Sequence, residues 1–365
     1  MKTDKEIAYQ NFWNNLKHAY PISNGDIRLP IARDLIEIPD LDHKELQDQL
    51  RVVLDQLLQN DEIKATANKR AEDAGDNDLI PLINDDYTGV VRFDCLWNPN
   101  TSRVSILEIN CDYPDGLLLH DKTYSALADR STNEHKFNLN KLFGDEETVV
   151  LHSDDAFFLD AYAVESQNLK SLGNNGKRIT DLSEATEGSV VRRCLETSKM
   201  TSDMFDHFRT KRLKPINTMA LRTLGYKDLL QEIDHPYVLK TTKVTTDIID
   251  YCNQHKDDLV LKPIDGCEGF NIYFGHKLNQ VEWSKLISKL SNTNYIVQEL
   301  AHIPQMKVSL YDEGTVIDKV LYYDLCPHFF IKSGEVIGSG HTLMRFSENP
   351  IVNVSQGGGI GYYKL

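Results

Sequence analysis

Between residues 42 and 57 apolar side chains recur at helical spacing: Leu46, Leu50, Val53, Leu54 and Leu57 follow Asp42 and Glu45, a pair that reads as a variant capping box. The period changes to two over residues 89–119. There the runs VVRFDCLW and SILEIN flank the turn-rich NPNTSR, which predicts an antiparallel hairpin. Residues 121–147 are polar and loop-like. They are followed by an apolar strand candidate, VVLH, a helical stretch at 157–172 and a further strand candidate at 190–193, the pattern of a small α/β unit. From 216 onward YVLK, LVLKP, NIYF, YIVQEL and KVSLY predict strands, alternating with helical stretches at 221–233, 246–254 and 282–290. The expected class is α+β. No fixed-period repeat occurs, so the changes of pattern divide the chain into 1–120, 121–215 and 216–365.

The hairpin carries the first chemical signal. Strand alternation puts Arg92 and Asp94 on one face of its first strand and Val91, Phe93, Cys95 and Trp97 on the other; in the second strand Glu108 and Asn110 share a face. A register that sets Phe93 opposite Ile109 and Cys95 opposite Leu107 keeps apolar against apolar. It also sets Arg92 opposite Asn110 and Asp94 opposite Glu108. Two carboxylates facing each other across a strand pair repel unless the face is solvated or a cation lies between them. Magnesium meets that need, since it takes one or two carboxylates together with nucleotide phosphates.

A second signal is LVLKPIDGCEGFNIYF, an apolar strand ending at Lys262-Pro263, then Gly266 and Gly269, then another strand-like run. Backbone N–H groups of such a loop can close over phosphates while the lysine supplies charge. The chain has no GxxxxGK[ST] and no GxGxxG opening a helix, so P-loop and dinucleotide-binding fingerprints are absent. HExxH and GxSxG are absent as well, and His235, His276, His302 and His341 stand singly. Arg192-Arg193 could sense a substrate carboxylate but reads first as a solvated strand end, and Tyr362 and Tyr363 read as packing.

Charge and composition narrow the partners. With 40 Lys and Arg against 55 Asp and Glu, the 365-residue chain carries −15 and offers no excess of positive charge for nucleic acid or an anionic membrane. The start, MKTDKEIAYQNFWNN, has no apolar run of signal-peptide type, and no uncharged stretch approaches the ~20 residues that span a bilayer. A cytoplasmic protein is the expectation. Its cysteines, 95, 111, 194, 252, 267 and 326, form no CxxC and read as reduced, buried thiols.

In chain order these residues resemble the circularly permuted ATP-grasp ligases, the group of eukaryotic glutathione synthetase and glutathionylspermidine synthetase. The resemblance covers roughly 85–120 and 210–365. Its elements are the Arg92-Phe-Asp94 and Glu108-Ile-Asn110 strands continuing into DYPDGLL, then KPINTMALRTLGYKDLLQEI, LVLKPIDGCEGFNIYF, YIVQEL and LMRFSENPIVNVSQGGG. The resemblance implies a permuted ATP-grasp fold with an inserted small α/β substrate domain, and ATP and Mg²⁺ as cofactors. It implies Asp94, Glu108 and Asn110 as metal ligands, Lys227 and Lys262 on the phosphates, and Gly266 and Gly269 in the phosphate loop. By the same likeness Gln298, Glu299 and Leu300 lie beside the base, and Arg92, Arg345 and the 357–359 glycines at the reaction centre. Two departures are noted: Gly266 stands where glutathione synthetase has a glutamate ligand, with Asp265 and Glu268 nearby, and Gln305 stands where many relatives have a ribose-binding acid.

The expected activity is therefore an ATP-dependent carboxylate-amine ligase working through an acyl phosphate, on a small-molecule carboxylate (an amino acid or short peptide) and an amine. Phosphotransfer on the same fold and a non-catalytic nucleotide-sensing module are the competing readings. Oligomeric state is open, a homodimer included.

Overall fold

The computed structural model describes residues 3–19, 30–74, 77–114, 146–152, 176–266, 269–312, 314–353 and 359–364, with isolated positions at 123–124, 127, 142, 144 and 166. Cys267, Glu268, Gly357, Gly358, residues 115–118 of DYPDGLL and all but one residue of the helical stretch expected at 157–172 lie outside them.

The class is α+β, built on three sheets. The largest runs, strand by strand, through Gln305–Asp312, Ile31–Ala32, Gly359–Tyr362, Leu343–Ser347, Thr315–Cys326, Gly89–Asn98, His328–Lys332 and Glu335–Ser339, with Arg103–Asn110 paired to Gly89–Asn98. Gln305–Asp312 also pairs with Thr315–Cys326, so five of these strands close into a ring. A second sheet is ordered Tyr273–Phe274, Leu259–Pro263, Tyr295–Glu299, Thr241–Lys243. The third is parallel, ordered Lys177–Ile179, Thr148–His152, Val190–Cys194, Lys214–Ile216.

The helix expected from 42 onward is His43–Gln59, and Leu46, Leu50, Val53, Leu54 and Leu57 are all buried. Asp42 caps it by accepting from the N–H groups of Lys44 and Glu45, while Glu45 accepts from Gln49 Nε2 rather than completing a capping box. With Asp61–Asp73 this helix covers one face of the large sheet, where Val91, Phe93, Leu325, Phe329, Met344 and Phe346 join it in one core. Strand alternation then commits the opposite face. Arg92, Asp94, Glu108, Asn110, Asp324 and Arg345 all point away from the helices. In the second sheet Trp283 and Ile287, from the helix Gln280–Leu290 with its Asn279/Glu282 capping box, pack on Leu261 and Val297. Lys262 and Gln298 therefore face the other way, toward the large sheet.

Three local expectations are corrected. YVLK is not a strand: Val238 makes a single bridge to Ile106, and the strand begins at Thr241. The stretch 221–233 is split into the helix Met219–Thr223 and a 3₁₀ segment Lys227–Glu232, because the Leu224-Gly225 turn interrupts it. Arg192 and Arg193 are not a solvated strand end but are buried at 2% and 0% exposure. Arg193 is held by the side chain and carbonyl of Asp112 at 2.9 Å each, by Thr197 Oγ1 at 3.0 Å and by the Asn217 carbonyl at 3.3 Å, tying the parallel sheet to the end of the hairpin. The sequence pattern does not delimit the strands that follow Tyr311 one by one.

Asn217 secures the same junction. Its fully buried amide donates to the carbonyls of Val90 (2.5 Å) and Cys111 (2.7 Å) and accepts from Val90 N–H at 3.1 Å. Asn217→Ala would orphan three buried backbone groups at ~1–3 kcal/mol each. A loss of about 3 kcal/mol or more is expected in urea-induced unfolding, and an unchanged midpoint would refute the clamp. Among the described residues no helix is long and apolar enough to cross a membrane.

Candidate active site

The hairpin pairs as the alternation required: Arg92 opposite Asn110, Phe93 opposite Ile109, Asp94 opposite Glu108. Beyond Asp94 the register shifts, and Cys95 faces Ile106 instead of Leu107. Leu107 is thus the extra residue of a bulge. Its carbonyl, released from the ladder, accepts from Gln298 Nε2 at 3.3 Å and Lys262 Nζ at 3.5 Å, which brings the second sheet onto the hairpin.

Asp94 is 2% exposed and surrounded by donors. Arg92 Nε reaches its Oδ1 at 2.8 Å, Arg345 Nη2 its Oδ2 at 2.8 Å, and Asn110 Nδ2 its Oδ2 at 3.3 Å. Burial alone would raise its pKa, but Arg345 and then Arg92 hold the carboxyl well below the usual range, so it is ionised at neutral pH. Glu108 accepts from the same Asn110 amide at 3.3 Å and pairs with Lys227 Nζ at 3.2 Å. One amide NH₂ group therefore sits between the two carboxylates, at the kind of position a cation would take.

Lys227 also donates to the Gly266 carbonyl at 2.5 Å, which joins it to the start of the glycine-bearing loop. Its neighbour Asp228 is paired with Arg70 at 2.5 Å, anchoring the 3₁₀ segment on the helix Asp61–Asp73. Lys262 is buried and donates to Gln298 Oε1 at 2.7 Å. Burial lowers its pKa to about 8, against the opposing pull of Glu108. Gln298 itself is 0% exposed and spent on Lys262, Leu107 and Thr241, so in this structure it positions the lysine. The Glu299 N–H donates to the Lys240 carbonyl and that of Leu300 to the Asp258 carbonyl, while the Glu299 side chain is exposed. Gly269 lies in the loop with φ +73°, a left-handed conformation that favours glycine. Gln305 is exposed on its strand, and Asp265 follows the lysine strand at the loop's start.

Sequence reasoning missed Asp324, which lies 1% exposed opposite Arg345 on the neighbouring strand. Both of its oxygens accept from Arg345, and Cys326 Sγ lies 3.5 Å from it and 3.6 Å from Asp94. A period-two reading of LYYDLC would have found it, since Asp324 interrupts an otherwise apolar and aromatic strand.

This arrangement, a polar face of a large helix-backed sheet met by a small lysine-bearing sheet, is part of a glutathione synthetase-like fold. A solved structure similar to the chain is a glutathione synthetase-like effector from Globodera pallida in its apo form, at a TM-score of 0.57 over 100% of this chain and 98% of that one, with 11% identity. No family model matches the chain. Uncharacterized proteins of Mycobacterium tuberculosis and Mycobacterium bovis are 32% identical over 108 residues, 28% of this chain, and the matched part spans 19% of the length of those curated relatives.

Proposed function

We propose that the protein is an ATP-dependent carboxylate-amine ligase of permuted ATP-grasp type, with residues 121–215 as its substrate-binding unit. The observation that carries this reading is the meeting of Asp94, Glu108 and Asn110 with Arg92, Arg345, Lys227 and Lys262 on one polar face between two sheets. The hard oxygen donors and the carboxylates bridged by an amide suit Mg²⁺. Asp94, Glu108 and Asn110 would hold it, and when bound it would neutralise phosphate charge.

Lys227 and Lys262 donate hydrogen bonds and positive charge to the phosphates, and both are already close to the Glu108 side of the hairpin. Arg92 and Arg345 meet charge that develops on the transferred phosphoryl group and the acyl phosphate. A substrate carboxylate attacks the γ-phosphoryl group, ADP leaves, and an amine then displaces phosphate to give an amide. Positioning and charge neutralisation supply most of the rate, because phosphoryl transfer asks little covalent chemistry of the protein. Exclusion of water by the loop that starts at Gly266 protects the acyl phosphate.

Mass spectrometry of the protein with MgATP and pooled amino acids, short peptides and polyamines tests the proposal. A product equal to two substrates minus water, formed with ADP, is expected. A product that gains phosphate would replace ligation by phosphotransfer, and ATP binding without turnover would favour a sensing module.

A further inference from the structure

We propose that Asp324 is a positioning residue that holds the Arg345 guanidinium with one edge turned into the cleft, an inference that rests on the ligase reading for its catalytic consequence. The two residues face each other across adjacent antiparallel strands. Arg345 Nε lies 3.2 and 3.1 Å from the two Asp324 oxygens, Nη2 is shared between Asp324 Oδ2 and Asp94 Oδ2, and the Arg345 backbone N–H reaches Asp324 Oδ1 at 3.3 Å. Among the described residues Nη1 makes no hydrogen bond. A guanidinium is planar, so fixing Nε and Nη2 fixes the plane, and the Nη1 donors must point away from both carboxylates.

The second carboxylate has a reason to exist. Asp94 is the oxygen donor that a cation would compete for, and an arginine held by Asp94 alone would lose its anchor when that competition was won. Asp324 comes from a different strand and gives Arg345 a partner that does not change. Cys326 Sγ lies between the two carboxylates, 3.5 Å from Asp324 and 3.6 Å from Asp94, and fills the space there.

The test compares wild type with Asp324→Asn, which keeps shape and one acceptor but loses the charge, in two measurements. Steady-state ADP formation should show kcat reduced about ten-fold with KM for MgATP within two-fold, because the arginine acts on developing charge rather than on the bound nucleotide. Hydrogen exchange of the Arg345 Nε–H, followed by NMR on arginine-labelled protein and assigned through Arg345→Lys, should accelerate at least ten-fold. Unchanged exchange in a folded Asn variant overturns the proposal, as does a raised KM with unchanged kcat. If wild type turns over no ATP, the ligase reading falls, and the exchange measurement still decides whether Asp324 holds the arginine. Should the Asn variant fail to fold, Asp324→Glu, which keeps the charge and displaces it by a methylene, is expected to lose kcat at near-native stability; wild-type kcat in it overturns the proposal.

Discussion

Glu108→Ala is expected to lower MgATP turnover at least ~10²-fold, equivalent to about 2.7 kcal/mol of transition-state stabilisation. The proposed metal site loses one of its two carboxylates, and Lys227 loses its partner at 3.2 Å. A third effect reaches across the sheets. Glu108 is the largest influence favouring the charged form of Lys262 against burial, so without it Lys262 gives up its proton at still lower pH. The fold should survive, because the Glu108 side chain is 26% exposed and anchors no backbone group. ADP release at near-wild-type rate from a variant with an unchanged melting curve would remove Glu108 from the site.

Lys262→Met should be equally damaging to turnover, at least ~10²-fold, yet should leave the protein as stable as wild type or more so at pH 7. The reason is the sign of the linkage. The folded protein releases the Lys262 proton near pH 8, whereas an exposed lysine holds it to about 10.5. Between these values the unfolded chain binds more protons, so this group makes stability rise with pH through that window, and below it the buried charge is a cost. Methionine removes the cost and leaves Gln298 Oε1 without this donor, which offsets part of the gain. For the same reason the wild-type KM for ATP is expected to climb above pH about 8, a dependence the methionine variant lacks. A sharp loss of Tm at pH 7 would show that the lysine is a structural group instead.

Much of the site was legible because strand alternation is a strict rule. Arg92, Asp94, Glu108 and Asn110 had to share a face once the hairpin was recognised, and helix 43–59 was plain from its five buried apolar positions. The bulge at Leu107 was not legible, since it depends on what the second sheet offers to the released carbonyl. Asp324 escaped because its strand was never delimited, and its partner Arg345 lies 21 residues further on. The burial of Arg193 escaped for a related reason: two adjacent arginines look solvated until a distant acceptor such as Asp112 is known.

The bulge has a mechanical meaning as well. Lys262 and Gln298 both rest on the Leu107 carbonyl, and the Tyr237 carbonyl accepts from Ile106 N–H at 2.8 Å one residue away, so the small sheet meets the hairpin along one short stretch of backbone. Lys227, which pairs with Glu108 next along the strand, also holds the Gly266 carbonyl, so both lysines and the start of the loop are registered to the same stretch of the hairpin. A cleft that opens to exchange ligands would have to break these contacts together rather than one at a time.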